Sequence, residues 1–463
     1  MKLPLKLGAL LAVALCTTAA TTPPPHSPGA PYAARNLADR VVLTPGADAA
    51  REMAVAFRTD LAQTTTEAQI LKGLDGPSLV DQAKTVSGVS KRIDTDNGAA
   101  LYHQIRFTGL EPDTVYAYRV KGAAGWGEWL QFKTAAAQFR PFSFLYLGDT
   151  QNGILSHGAR VIRQAYLSTA APALMLHAGD LVAQRDDMIH DDEWGEWTQA
   201  GGFNFASIPQ LPATGNHEYV DAVGPDGKEV YQLGPHFPLQ FNLPGNGAPG
   251  AGATTYAVDY QGVRFVVLDG TSALNLGTLE AQTRWADAAL AAPGSLWRVV
   301  VFHQPIYTCA RPQDTEALKA AWVPVFERHK VDLVLQGHDH CYSRLTSVLG
   351  KTDAARRHKA GEAQGPVYVV SVTGTKMYAL NDRAPFQPDR VAADTQLYQV
   401  ISVEKDKLRF EAHTATGRLY DAFELKRGAD GRNRLTETDA LPPIRMCDGD
   451  KGPDGGRCLG REK

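Results

Sequence analysis

Two spacings of apolar residues divide the chain. Between about residues 37 and 134 the apolar stretches are short: RVVLTPG, EMAVAFRTD, ALYHQIRFTGL, VYAYRVKG and EWLQFKTA. Turn residues separate them at the intervals of an all-β sandwich. After AAAQFRPF (135–142), which reads as a linker, the runs become continuously apolar: FSFLYLG (142–148), ALMLHAG (173–179), VRFVVLDG (263–270), WRVVVFH (297–303) and VDLVLQGH (331–338). Such runs predict strands buried on both faces. Helix-like segments at 156–168, 279–292 and 314–330 lie between them. Strand-helix alternation predicts a layered α/β domain over 140–427, in which ligands bind beyond the C-terminal ends of the strands. Stretches 366–373, 396–403, 407–414 and 419–425 read as later, antiparallel strands, with a hairpin at EKDK. Residues 428–463 read as a tail, and no internal repeat is found.

The N-terminus follows neither spacing. Lys2 and Lys6 precede an apolar run, Leu7 to Leu15, and then small residues. This predicts a secretory signal peptide over 1–20, cleaved near Thr18-Ala19-Ala20. The run is too short to span a bilayer, and no later segment reads as transmembrane. Lipid anchoring at Cys16 is the alternative, with bulky Leu15 against it. Residues 21–36, rich in Pro, Ala and Thr, read as a disordered leader.

Export changes the meaning of the cysteines. Loss of Cys16 leaves Cys309, Cys341, Cys447 and Cys458. An even number in an oxidising compartment points to disulfides. A Cys447–Cys458 bridge would close the tail loop CDGDKGPDGGRC; calcium binding is the alternative, without the helical flanks of an EF-hand. A net charge of -3 gives no electrostatic case for nucleic acid or an anionic membrane as partner. In the first domain, GLEPDTVYAYRV (109–120) resembles the tyrosine-corner segment of fibronectin type III domains, with Tyr116 at the corner. Nothing there offers a metal-ligand or nucleophile cluster, so it reads as a scaffold, with carbohydrate or surface attachment as the alternative.

Polar residues collect at the strand ends of the second domain. Asp149 follows FLYLG, Asp180 follows LMLHAG, Asn216 and His217 follow IPQLPATG, His303 ends WRVVVFH, and His338 and His340 end VDLVLQGHDH. Taken singly, each is a turn, a cap or a hydrogen-bonded rim residue. Taken together on one face, they form a donor set for iron, zinc or manganese. A carboxylate between two cations lowers their repulsion, and ions about 3.5–4 Å apart clamp both oxygens of an in-line displacement. His338 and His340 straddle Asp339, so each can serve one of two neighbouring ions.

GDT, GDLV, GNHE, VVVFH and GHDH, in this order, resemble the calcineurin-like metallophosphoesterase superfamily. With the front domain, roughly residues 37–425 resemble its bacterial branch related to purple acid phosphatases. The resemblance implies a layered αββα sandwich behind a fibronectin III-like domain. It also implies two metal ions and hydrolysis of a phosphate ester by metal-bound hydroxide. Asp149 and His340 match ligands of the first metal, Asp180 the bridge, and Asn216, His303 and His338 ligands of the second. His217 matches the histidine that steadies the phosphoryl oxygen and protonates the leaving alkoxide, with Glu218 supporting it. A phosphomonoesterase is the preferred expectation. A phosphodiesterase or nucleotidase, or an exported binding protein without turnover, are the alternatives.

The chain departs from that pattern in three places. Ala183 stands where the iron-binding tyrosine is expected, so no tyrosinate colour is available. Gln151 stands where the wider superfamily often has a histidine, leaving Gln151, Asn152 or water to complete the first site. After His303 the chain reads TCARPQD (308–314), in which Arg311 contacts phosphate or is solvated. Because His303 and His340 are assigned to one centre, their neighbours Cys309 and Cys341 are expected to pair; two reduced thiols or metal ligation are the alternatives.

Overall fold

The computed structural model describes residues 31–224, 227, 229–349, 364–383, 387–437 and 440–461. The expected signal peptide, Cys16 and the expected leader up to residue 30 lie outside these residues. The end of the leader is held by backbone pairing: the Arg35 carbonyl accepts from the Asp60 N–H at 2.8 Å and the Asn36 carbonyl from the Ala124 N–H at 2.9 Å. Among the described residues no helix is long and apolar enough to cross a membrane.

The first domain is two antiparallel sheets face to face. One contains Asp39–Pro45, Met53–Thr59, Gly98–Phe107 and Val89–Thr95; the other is built on Glu67–Lys72 and Val115–Gly122. Val55, Phe57 and Ile105 of the first sheet pack against Ile70, Tyr118 and Phe132 of the second. Burying each such large apolar side chain contributes about 1.5–3 kcal/mol. The Tyr116 hydroxyl accepts from the Glu111 N–H at 2.9 Å, which makes the predicted corner bond.

The second domain has two mixed seven-stranded sheets. In one, Phe142–Leu147, Met175–His177 and Gln210–Pro212 run parallel. In the other, Val263–Val267, Trp297–Val301, Leu333–Gln336 and Gln364–Val370 run parallel. Phe144, Leu176 and Phe410 of the first sheet meet Phe265, Val299 and Leu333 of the second in one core. Helices Ala159–Leu167 and Asp192–Gly201 cover one outer face, and Leu279–Ala291 and Glu316–Arg328 the other. The layering is therefore helix, sheet, sheet, helix. The first sheet also takes in Asn433–Glu437, beyond the expected boundary at 427, because that strand pairs with Leu419–Arg427.

A buried charge cluster joins the domains. Asp191 accepts from Arg40 at 2.7 Å and from Arg58 at 3.0 Å, and lies 3.0 Å from the His236 ring. Next to it, Glu193 accepts the N–H groups of Ala183 and Gln184 at 2.6 and 2.7 Å. The first domain thus steadies the loop that reaches the strand ends.

Candidate metal centre

The parallel strands of both sheets end at one place. Asp149, Asp180 and Asn216 come from the first sheet, His303 and His338 from the second. The loops between them are tightly packed. A Cβ on Gly337 would collide with the Asp149 carboxylate, and one on Gly215 with that of Asp180. Asp180, His338 and His340 have positive φ of 50°, 74° and 48°. For non-glycine residues this costs of order 1–3 kcal/mol each and persists only where neighbours over-determine it. Here they do. The Glu218 carboxylate accepts the N–H groups of Asp180 (2.9 Å), Leu181 (2.7 Å) and Gly215 (2.6 Å). The Asp149 carboxylate accepts the His338 N–H at 2.7 Å.

Two groups of donor atoms result, each lying within 4.8 Å: Asp149, Asp180 and His340, and Asp180, His303 and His338. Asp180 belongs to both. Backbone carbonyls orient three imidazoles. His303 Nδ1 donates to Ala178 O at 2.7 Å, His340 Nδ1 to Lys376 O at 2.9 Å, and His217 Nδ1 to Ala183 O. Each Nε2 is thereby turned towards the carboxylates. The His303 Nε2 lies 3.1 Å from Asp180, the His340 Nε2 3.5 Å from Asp149 and the His217 Nε2 3.8 Å from Asp180. An outer hydrogen bond of this kind fixes the tautomer of a metal-binding histidine.

Among the described residues several buried amide oxygens lack a protein partner, and two of them, Asn216 Oδ1 and Gln151 Oε1, belong to residues of this site. Buried polar atoms are ordinarily bonded, so the orphaned Asn216 oxygen, on the loop that binds Asp180, fits a cation. Asn216 sits between Gly215, bonded to Glu218, and His217, whose N–H donates to Asp180 at 2.9 Å. Gln151 Nε2 donates to Asp180 at 2.6 Å and lies 3.0 Å from His340 Nε2. Gln151 therefore stands inside the first group.

The charges are strongly perturbed. Burial raises Asp149 to about 7, with His303 pulling against it and Asp180 adding to it. Burial also raises Glu218, to about 8, helped by Asp180. His303 moves the other way from most buried imidazoles: burial opposes its charge, but Asp180 and Asp149 outweigh burial and lift it to about 9. Burial, then the Lys376 charge, lowers His340 to about 3. Burial also keeps His338 well below its ordinary value. At neutral pH the latter two offer lone pairs.

Glu218 and Arg311 make contacts that the chain order does not show. Glu218 holds the backbones of Asp180, Leu181 and Gly215 rather than the His217 ring, which Ala183 O orients. Arg311, read as a phosphate contact or a solvated residue, is bonded to the Asp339 carboxylate and, at 3.1 Å, to His338 O. Asp339 in turn accepts the N–H groups of Cys309 (2.6 Å) and Ala310 (2.9 Å). The carboxylate between the two histidines thus anchors the loop after His303.

Cys309 and Cys341 are disulfide-bonded, Cα to Cα 6.4 Å, as are Cys447 and Cys458, 5.9 Å apart. The first bridge covalently fixes the same junction. Mild reduction of the native protein is expected to loosen metal binding while far-ultraviolet dichroism is unchanged. Undiminished metal retention after reduction, verified by thiol alkylation at both positions, would contradict that role.

Residues 38–134 match the purple acid phosphatase N-terminal domain family and residues 142–342 the calcineurin-like phosphoesterase family. An uncharacterized protein of Mycobacterium tuberculosis is 27% identical over 336 residues, 66% of this chain and 61% of that protein. Purple acid phosphatase 1 of Ipomoea batatas is 26% identical over 289 residues, 58% of this chain and 58% of the relative. The chain thus spans about three fifths of the length of these relatives. A solved structure of PhoD shares the fold at 12% identity, with a TM-score of 0.59 over 91% of this chain and 95% of that one.

Proposed function

Because the chain belongs to the calcineurin-like metallophosphoesterase superfamily, on its purple-acid-phosphatase-like branch, we propose that it is an exported, dinuclear-metal-dependent phosphoric ester hydrolase acting on phosphomonoesters. The observation that carries this reading is Asp180, one carboxylate common to two adjacent donor groups.

Asp149, Asp180 and His340, completed by water or the Gln151 side chain, would hold one ion, and Asp180, Asn216, His303 and His338 the other. Two such cations would supply Lewis-acid charge to a bound phosphoryl group and would lower the pKa of a water. The protein's own contribution is to keep donors and proton carrier in fixed positions. Glu218 ties the Asp180 and Gly215 loops together through three backbone N–H groups. His217, fixed through Nδ1 by Ala183 O, presents Nε2 to the leaving alkoxide as proton donor. The first domain acts as a fibronectin III-like packing module, holding the Ala183 loop through the Asp191 cluster and Glu193. The two disulfides support an oxidising, extracytoplasmic location.

Metal-loaded protein is expected to hydrolyse aryl phosphate monoesters faster than the corresponding diesters. The reverse order would favour a phosphodiesterase. No hydrolysis of either ester by protein holding two metals would replace the enzyme with a binding protein.

A further inference from the structure

A phosphomonoester is a dianion near neutral pH, and its outward oxygens need a donor besides the centre itself. Three cationic side chains lie around the strand ends. Arg185 is paired with Asp221 at 2.9 Å, and Arg311 is held by Asp339 and His338 O. Lys376 has no carboxylate within salt-bridge distance among the described residues.

The segment carrying Lys376 is pinned against the centre at successive points. Thr373 and Gly374 donate to Asp149 O at 2.9 and 2.6 Å, and Tyr378 N–H donates to His340 O at 3.1 Å. Thr375 Oγ1 donates to Asn152 O at 2.7 Å, and Lys376 O accepts from His340 Nδ1 at 2.9 Å. A Cβ on Gly374 would collide with Gln151 O, so the segment packs closely on the Gln151 backbone. The Lys376 ammonium lies 5.5 Å from the Tyr378 ring centre, and that ring is 4.8 Å from the His340 ring. The stem therefore folds along the residues lining the centre and is half-buried. The Lys376 charge acts on both His340 and His217, lowering each imidazole.

We propose that Lys376 is the substrate-positioning cation of this site, its ammonium donating to a non-bridging oxygen of the phosphoryl group. The inference rests on the phosphoesterase reading above and adds a basis for monoester preference. An ammonium is a compact charge with three donors. It favours the doubly charged phosphoryl group of a monoester over the singly charged group of a diester.

The test compares wild type with Lys376→Met, Lys376→Gln and Lys376→Arg at matched metal occupancy. Calorimetry gives the dissociation constant for inorganic phosphate, and kinetics give KM and kcat for an aryl monoester and diester. The backbone carbonyl that orients His340 is retained in every variant, so metal content should hold. A charge-assisted hydrogen bond of about 1.5–3 kcal/mol corresponds to roughly 10- to 100-fold in affinity. Met and Gln are expected to weaken phosphate binding by that factor and to raise the monoester KM alike. The diester KM should change much less, and Arg should restore most of the loss. Phosphate affinity within twofold of wild type in both Met and Gln variants would overturn the inference, as would equal KM changes for the two esters. A two-metal wild type that hydrolyses no ester would defeat the proposed function instead, while the phosphate titrations still decide the place of Lys376.

Discussion

Asp180→Asn is expected to empty both halves of the centre and lower kcat/KM at least roughly a thousandfold. The substitution keeps the shape and leaves an oxygen able to accept the His217 N–H, now 2.9 Å from Asp180. It removes the one formal charge present in both donor groups. That charge also stands 3.1 Å from the His303 imidazole and helps to raise its pKa. Loss of several kcal/mol of metal-supplied charge stabilisation, at about 1.36 kcal/mol per tenfold, gives the magnitude. Metal analysis after dialysis, beside kinetics, checks it. A variant holding two metals tightly at near-normal turnover would show that Asp180 does not bridge.

His217→Ala is expected to separate chemistry from metal binding. Metal content should stay near wild type, because the His217 ring is oriented by Ala183 O and stands 3.8 Å from Asp180, outside both donor groups. Loss of a general acid typically costs about 10²–10⁴ in rate. The cost should rise with the pKa of the leaving group, since poor leaving groups need protonation most. Burial lowers the pKa of His217, with Asp180 opposing. The donating form is therefore filled at acid pH and lost as pH rises through that lowered value, and the variant should lack this limb of the pH profile. A uniform loss across leaving groups would argue against proton donation.

The gathering of these side chains was legible in the sequence because they end apolar runs that must be buried strands. Asp149, Asp180, His303 and His338 announce themselves by position as well as by type. The sequence could not show what orients them. The acceptors for His303, His340 and His217 are backbone carbonyls of Ala178, Lys376 and Ala183, and a carbonyl leaves no mark on residue identity. The Glu218 bonds to the Asp180 and Leu181 backbones and the Arg311 bond to Asp339 join separate loops, so neighbourhood along the chain does not show them. Gln151 was visible as a departure, but its place between Asp180 and His340 depends on three-dimensional closure. Val89–Thr95 escaped notice as a strand because it is mostly exposed and lacks apolar alternation. Asn433–Glu437 did so because its register comes from Leu419–Arg427 and not from its own polar sequence.

A metal titration decides whether a pair of ions shares Asp180. Stripped protein is loaded stepwise with zinc, manganese or iron while bound metal and hydrolysis of an aryl phosphate monoester are followed together. Saturation at two ions per chain is expected, with full turnover only when both are bound. Full activity with one ion, or with none, would contradict it.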